Sequence, residues 1–248
     1  MTATFDPQIA AAQLVATRNG QPRATGLQPP PTDVVAAYAV QGHVMRTLGG
    51  PACWKMAMMG GVDRQAGAMP VTILYPNGGH VAGLPHDAAI EVETAFVLAQ
   101  DLPADCTLDE VVAAVGAVHL AFEIVASRFA DRSAITPLTA LADSFSSAAI
   151  VLGDAIADWE SALQRPLGLS LTRGADAPDT VEIVPTLAEQ IDFIHWLAGH
   201  AVAHGLPLVA GTVIISGARI GPIAMAGIET ASALGGGASV SAKFSYSA

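Results

Sequence analysis

Two glutamates one residue apart, Glu91 and Glu93, stand in the apolar run Ile90-Glu91-Val92-Glu93-Thr94-Ala95-Phe96-Val97-Leu98. The run has no Gly or Pro and is rich in β-branched and aliphatic residues, which predicts a strand. Side chains alternate faces along a strand. Ile90, Val92, Thr94, Phe96 and Leu98 then share one face, and the two glutamates share the other with Ala95 and Val97. The glutamate Cα atoms would lie roughly 6.5–7 Å apart. Two carboxylates on a partly apolar face repel each other, and a proton, a cation or a metal relieves them. All-oxygen ligands suit a hard cation, Mg²⁺, Mn²⁺ or Ca²⁺. An edge strand with two solvated glutamates is the competing reading, and the stretch alone leaves both open.

Lys55 is a second candidate. The chain has two lysines, Lys55 and Lys243, and Lys55 lies in Cys53-Trp54-Lys55-Met56-Ala57-Met58-Met59. A lysine in such surroundings is costly unless an anion holds it or its pKa falls. The alternative is a stem packed under Trp54 with the ammonium in water. Glu123 is the one acidic residue in His119-Leu120-Ala121-Phe122-Glu123-Ile124-Val125-Ala126-Ser127; on a strand it faces opposite Phe122 and Ile124. Asp143-Ser144-Phe145-Ser146-Ser147-Ala148-Ala149 is small, polar and turn-like. Its hydroxyls and N–H groups could cradle an anion, or it is a plain loop with an Asp cap. His200 and His204 have the i,i+4 spacing of a metal pair. No Glu follows His200 at the metalloprotease spacing and no third ligand is evident, so they read as helix-surface or helix-end histidines.

These groups must be positioned by about 250 residues of unusually apolar chain. The 248 residues are 52% hydrophobic and 13% charged, with net charge −11 and a mean hydropathy of +0.46. No run reaches the ~20 apolar residues of a spanning helix. No basic patch exists, which argues against nucleic acid and anionic membrane as partners. The start has no charged region ahead of an apolar one, so a cytoplasmic protein is expected. Cys53 and Cys106 have no metal or redox spacing and are expected reduced and buried. A surface so poor in charge is expected to be buried partly between copies, as a homo-oligomer.

Along the chain, residues 7–19 and 32–48 read as helices, the first stopped by Gly20. A strand follows with Trp54 and Lys55, then a loop over 60–67, a short β segment at 71–75 and a turn at 76–79. Residues 80–82 are expected to return as the partner of that segment. Thr107 and Glu110 form a capping box ahead of a helix ending near 116–118. Residues 119–127, 150–152, 167–172, 212–216, 223–226 and 239–246 read as strands. A second box, Thr186 with Glu189, opens the longest helix, which runs to His204. Strands and helices do not alternate regularly, which argues against a doubly wound sheet. No glycine fingerprint for a nucleotide is present. The expected fold is α+β: a curled, mostly antiparallel β body with helices outside. Residues 1–50 form an N-terminal helical segment and 51–248 a β-rich metal-binding catalytic body, together one structural unit.

In order, these pieces resemble the hydratase/decarboxylase branch of the fumarylacetoacetate hydrolase superfamily, which includes 2-oxopent-4-enoate hydratases and 4-oxalocrotonate decarboxylases. The resemblance is carried by Trp54-Lys55, Gly61-Val62-Asp63, Pro76-Asn77-Gly78-Gly79, the Glu91/Glu93 strand and Ala121-Phe122-Glu123-Ile124-Val125-Ala126-Ser127-Arg128. It continues in Ala142-Asp143 with Ser146-Ser147, in Val151-Leu152-Gly153, and in Ala210-Gly211-Thr212-Val213-Ile214-Ile215-Ser216-Gly217. It implies a curled mixed β body and one divalent cation, Mg²⁺ or Mn²⁺, held by Glu91, Glu93 and Glu123. It also implies Lys55 as the catalytic residue at the substrate, and Asp143, Ser146 and Ser147 as substrate-binding residues. The implied reaction is hydration of a small anionic 2-oxo-alkenoate: proton abstraction, a dienolate stabilised by the metal, reprotonation and water addition. Decarboxylation of a 2-oxo-enedioate on the same site is the alternative. It needs a further cation for the distal carboxylate, for which Arg64, Arg128 and Arg132 are candidates. Three departures bear on the reaction: Met56-Ala57-Met58-Met59 after Lys55, Ala66 where a second acid is expected, and Ala148-Ala149 where paired glycines are expected. Ala66 and the altered loop motivate a third reading, a non-catalytic relative acting in binding or assembly.

Overall fold

Each of the first two helices begins where an aspartate can cap it. The computed structural model, which describes residues 5–59, 61–182 and 186–247, starts with α1 (Pro7–Arg18), with the Asp6 carboxylate accepting from the Gln8 N–H. In α2 (Val34–Thr47), Asp33 accepts from the Ala36 N–H. A side-chain oxygen at this position satisfies an N–H that has no partner inside the helix. The strands that follow are β1 (Pro51–Met59), β2 (Asp63–Pro70), β3 (Leu74–Pro76), β4 (His80–Leu84) and β5 (Ala89–Leu98). Then come α3 (Leu108–Ala114), β6 (Val115–Val125), α4 (Pro137–Ala142), β7 (Ser147–Ala155), α5 (Trp159–Ala162), β8 (Leu169–Arg173) and β9 (Asp179–Val181). The last elements are α6 (Leu187–Ala203), β10 (Val213–Ile215), β11 (Ile220–Ala224), β12 (Thr230–Gly235) and β13 (Ala238–Tyr246).

Two sheets result. The larger runs β2-β1-β10-β5-β6-β7-β3, with β11 also paired to β5; the smaller runs β4-β13-β12-β8-β9. Pairing is mostly antiparallel, with parallel contacts at β1/β10, β3/β7 and β4/β13. This is the mixed α+β body expected. Among the described residues no helix is long and apolar enough to cross a membrane.

β5 lies inside the large sheet, between β10 and β6, which excludes the solvated edge strand. Its two faces join different cores. Ile90, Val92, Phe96 and Leu98 enter the main core with Trp54, Phe122, Ile124 and Leu197. Ala95 joins a smaller cluster on the opposite face with Cys53, Met69, Ala121, Ile150, Val213 and Ile215. By the alternation of the pleat, Glu91, Glu93 and Glu123 belong to this second face.

Several local expectations are corrected. Residues 60–67 are not all loop: β2 begins at Asp63 and pairs with β1 from Asp63↔Met59 through Lys55↔Gly67 to Pro70↔Pro51. Cross-strand pairing there overrides the weak strand propensity of Gln65-Ala66-Gly67. Residues 71–73 are a 3₁₀ turn. β3 pairs with β7, not with 80–82, which instead pair as β4 with β13. The turn between them is held from outside, because the Ser241 N–H donates to the Asn77 side-chain Oδ1 at 2.9 Å and Gly78 N–H to Ser241 O at 2.9 Å. α3 stops at Ala114, short of 116–118, since the chain passes directly into β6. In the second predicted capping box, the Thr186 hydroxyl donates to Glu189 at 2.6 Å, but no side-chain cap forms on a backbone N–H. α4, α5, β9 and β12 were not anticipated; they are short or Ala/Gly-rich and carry little periodic signal.

Gln41 joins three elements. Its amide donates to Ala66 O at 3.2 Å and Leu141 O at 2.5 Å, and its oxygen accepts from Ala68 N at 3.0 Å. Gln41 is 2% exposed, so water cannot replace these bonds. Gln41→Leu is expected to lower stability by about 2–4 kcal/mol, the cost of leaving buried donors and acceptors unpaired. Urea unfolding measures it, and a change below about 0.5 kcal/mol would contradict this account.

Candidate metal centre

Register builds the centre. In the β5/β6 pair, Glu91 stands directly opposite Glu123 and Glu93 opposite Ala121, so all three carboxylates project from adjacent positions on one face. One oxygen from each lies within 4.8 Å of the others. Glu93 and Glu123 are fully buried, and Glu91 is 7% exposed. Glycine secures this geometry at Gly221. Its φ is +103°, and a Cβ there would sit 2.5 Å from Ile90 O and 3.2 Å from Glu91 Cα. β11 can therefore lie against Glu91 only without a side chain at that point.

Lys55 reaches the triad from two strands away. It pairs with Ile215 of β10, and β10 ends at that residue. Its ammonium donates to Glu91 Oε2 at 3.3 Å and pairs with Glu123 Oε2. The sequence left Lys55 open between a held ammonium and a snorkelling stem; the structure gives it two carboxylate partners and 9% exposure. Where β10 ends, the chain turns across β5. Ser216 Oγ lies 2.7 Å from Thr94 Oγ1, Gly217 N–H donates to Glu93 Oε2 at 2.6 Å, and Arg219 N–H donates to Val92 O at 2.8 Å.

The electrostatics follow from three carboxylates and one ammonium in a desolvated space. Burial, then Glu123, pushes Glu93 well above the usual carboxylate range. Burial also raises Glu91, with Lys55 pulling the other way. Burial alone would raise Glu123, but Lys55 and hydrogen bonds within the triad hold it below its ordinary value. Burial alone would lower Lys55; Glu123, Glu93 and Glu91 outweigh it and keep it firmly charged. Among the described residues, Glu93 Oε1 and Glu123 Oε1 are buried with no hydrogen-bond partner. Unpaired buried oxygens in an all-carboxylate donor set fit a hard divalent cation.

The serine loop stands at the end of β6 beyond Glu123. Ser147 is the register partner of Val125, and Ala126 N–H donates to Ser146 O at 2.9 Å. Three consecutive non-glycine residues, Ser144, Phe145 and Ser146, have φ of +49°, +56° and +70°, a conformation that costs about 1–2 kcal/mol per residue. Arg128 holds it. Its Nε donates to Asp143 Oδ1 at 2.5 Å, and its terminal nitrogens donate to Asp143 O at 2.7 Å, Ser147 O at 2.8 Å and Ala126 O at 3.0 Å. Gly67 lets β2 close on the loop, since a Cβ there would lie 3.1 Å from Ser144 Cα. Asp143 is thus engaged by Arg128, and Ser146 Oγ is 3.5 Å from Asp143 Oδ2. Ser147 Oγ is buried with no partner among the described residues. Among the described residues no hydrogen bond or ion pair joins this loop directly to the glutamates.

Ala66 faces away from the centre. It pairs with Met56 while Gly67 pairs with Lys55, and its methyl joins the main core under α2. Of the three candidate arginines, Arg128 is committed to the serine loop, Arg132 is exposed and Arg64 pairs with Asp192. His200 and His204 are not a metal pair: His200 stacks on Trp196 at 4.7 Å and meets Tyr38 edge-on at 4.4 Å. Burial, then His204, lowers His200 to about 4. Arg219 escaped the sequence reading. A lone arginine in Ser216-Gly217-Ala218-Arg219 carries no spacing signal, and only the β10–β11 turn brings it beside Glu93.

No family model matches the chain. A 2-keto-4-pentenoate hydratase from Paraburkholderia xenovorans (strain LB400) is 35% identical over 139 residues, covering 56% of this chain and 51% of that protein. The matched stretch thus spans about half the length of that relative. The 4-oxalocrotonate decarboxylase from Pseudomonas putida G7, complexed with magnesium and adipate, superposes with a TM-score of 0.76 at 23% identity, covering 97% of this chain and 99% of that one. A fumarylacetoacetate hydrolase family protein from Yersinia pestis CO92 gives a TM-score of 0.56 at 17% identity, covering 79% and 92%. The chain has the fumarylacetoacetate hydrolase fold. In both fold and sequence it resembles the hydratase/decarboxylase branch of that superfamily.

Because Glu93 is raised, the folded metal-free protein carries a proton in the triad that the unfolded chain has released above the ordinary carboxylate pKa. The folded state then binds more protons, and stability falls as pH rises from the ordinary value through the raised one. A divalent ion must displace that proton. Mg²⁺ affinity is therefore expected to rise with pH over the same window, with proton uptake by the buffer. Calorimetry in two buffers of different ionisation enthalpy reads this, and binding without proton release would contradict it. Glu93→Ala is expected to abolish the binding.

Proposed function

We propose that the protein is a divalent-metal-dependent lyase that adds water to a 2-oxo-alkenoate of the 2-oxopent-4-enoate type. The observation that carries this reading is the buried cluster of Glu91, Glu93, Glu123 and Lys55. The sequence likeness to a 2-keto-4-pentenoate hydratase over half the chain supports the substrate class. The magnesium in the decarboxylase of the same fold supports the metal.

Glu91, Glu93 and Glu123 would hold one cation, Mg²⁺ or Mn²⁺. When bound, it supplies Lewis-acid polarisation of the substrate's carboxylate and 2-oxo oxygens. The chain's own residues do the rest. Lys55, held charged by the triad, offsets the negative charge that develops on the substrate's oxygens as water adds to the alkene. It would give its proton to the substrate carbon, and the amine so formed would take the proton that the adding water loses, which restores the ammonium. The Ser147 hydroxyl, buried without a partner, is available to the substrate carboxylate. Arg128 and Asp143 keep the 144–147 backbone in the conformation that presents it, a positioning role. Ala95, Ala121, Ile150 and Ile215 pack together on the face that carries the carboxylates and keep water from that side of the centre.

A second reading, decarboxylation of a 2-oxo-enedioate, is favoured by one observation: an arginine beside Glu93, Arg219, whose buried Nε has no partner among the described residues. The subunit arrangement is proposed to be a homo-oligomer, on the low charge of the chain.

Chelation is expected to abolish loss of the conjugated 2-oxo-alkenoate absorbance, and Mg²⁺ or Mn²⁺ to restore it. Lys55→Met is expected to cut kcat by roughly 10²–10⁴ while Mg²⁺ binding survives. Metal-independent turnover would sink the proposal. Release of CO₂ from a 2-oxo-enedioate separates the second reading from the first.

A further inference from the structure

A cavity of about 670 Å³ lies against the strand end that leads from Glu123 towards the serine loop. Its wall is made by the end of α1 with residues 19–23, by β4 and its exit at 81–85, and by residues 126–128. The three glutamates and Lys55 do not line it. Arg18, Arg23 and Arg128 stand in the wall, and no acidic residue does. In a chain of net charge −11, the local sign is reversed.

Two of these arginines are committed. Arg23 donates to both carboxylate oxygens of Asp87, at 3.0 and 2.7 Å, and to Phe129 O at 3.0 Å. Arg128 gives its donors to Asp143, Ser147 O and Ala126 O. Arg18 is different. It stands in the last turn of α1, and among the described residues its side chain makes no ion pair and its buried Nε has no partner. Burial, then the charge of Arg128, pulls Arg18 down to about 9, with Asp143 opposing. One carboxylate thus answers two guanidiniums, and a partly desolvated cation left without an anion is costly. Ser127 adds a second donor. It lines the cavity at 7% exposure, and its Oγ accepts from Phe129 N–H at 3.1 Å, which leaves its O–H free to donate.

We propose that this cavity is an oxyanion site, in which the terminal nitrogens of Arg18 take paired oxygens of a carboxylate or phosphate group, the Ser127 hydroxyl supplies a further bond, and the bound anion steadies the serine loop through Arg128. The site is independent of the reaction proposed above. A guanidinium presents parallel N–H donors to either group. The link to the loop is electrostatic. Arg18 repels Arg128, and Arg128 is what ties down Asp143 and Ser147. An anion on Arg18 offsets that repulsion and leaves the bonds of Arg128 to the loop stronger.

The test is calorimetric titration of the unaltered protein with inorganic phosphate and with acetate, each with and without Mg²⁺. At least one of them is expected to bind with a Kd of about 1 mM or tighter, equally in both conditions, and the tighter one names the group. Arg18→Met is expected to weaken binding at least about tenfold. Arg18→Lys is expected to keep part of it, since an ammonium retains the charge and loses the paired donors. Hydrogen exchange at the Ser146 N–H, which donates to Asp143 O at 3.0 Å, is expected to slow when the anion binds and to stay unchanged in Arg18→Met. No binding of either anion below about 20 mM overturns the site. Binding seen only with Mg²⁺ also overturns it, because the anion is then on the metal, as does undiminished binding to Arg18→Met. Binding without slower exchange overturns the link to the loop. The comparison with and without Mg²⁺ uses the unaltered protein, so misfolding of a variant cannot mask the outcome.

Discussion

Three carboxylates and one ammonium are held out of water in one space, and the rest of the fold is built so that this can persist. Taken alone, each buried carboxylate would cost several kcal/mol, and a lone pair of them more. Lys55 offsets part of that repulsion, the raised Glu93 takes up a proton, and two carboxylate oxygens still lack partners among the described residues. Once that proton leaves, three carboxylates and one ammonium carry a net charge of about −2, which one divalent ion neutralises. The same imbalance that burdens the folded chain would attract such an ion.

That imbalance is imposed by strand register. A one-residue slip between β5 and β6 would send Glu91 and Glu93 into the main core beside Phe122 and Ile124, where nothing could pair with them. The strict apolar alternation of both strands blocks the slip. β10 contributes by being short: it spaces β1 from β5, then ends, and leaves room for Lys55 to cross and for the 216–219 turn to fold against Glu93. Strain is placed nearby, in the left-handed 144–146 segment. Arg128 ties down both ends of that segment with three hydrogen bonds, two to Asp143 and one to Ser147, and anchors itself on Ala126 O with a fourth.

The departure at Ala66 changes meaning in three dimensions. By position along the chain it suggested a lost proton donor. By register it faces α2, and on the opposite face of β2 the neighbour of Lys55 is Gly67, which carries no side chain at all. Lys55 is then the one titratable group of β1 and β2 that touches the triad among the described residues, which concentrates the proton chemistry on it. The reading as a non-catalytic relative thereby loses one of its two motives, Ala66.

By itself the sequence determined what alternation and composition can determine. The period-2 pattern around Glu91, Glu93 and Glu123 put each carboxylate opposite a large apolar face, and the scarcity of lysine singled out Lys55. Helices with a side-chain cap, α1, α2 and α3, were legible to within a few residues because their signals are local. Only the tertiary structure decided which strands are neighbours: that Glu91 meets Glu123, that β3 joins β7 and not β4, and that β2 is a strand at all. Pairing depends on contacts far apart in sequence, which no local window records. The same limit hid Arg18 and Arg219. One closes the first helix and the other lies in an unremarked turn, and only packing sets the first near Arg128 and the second near Glu93.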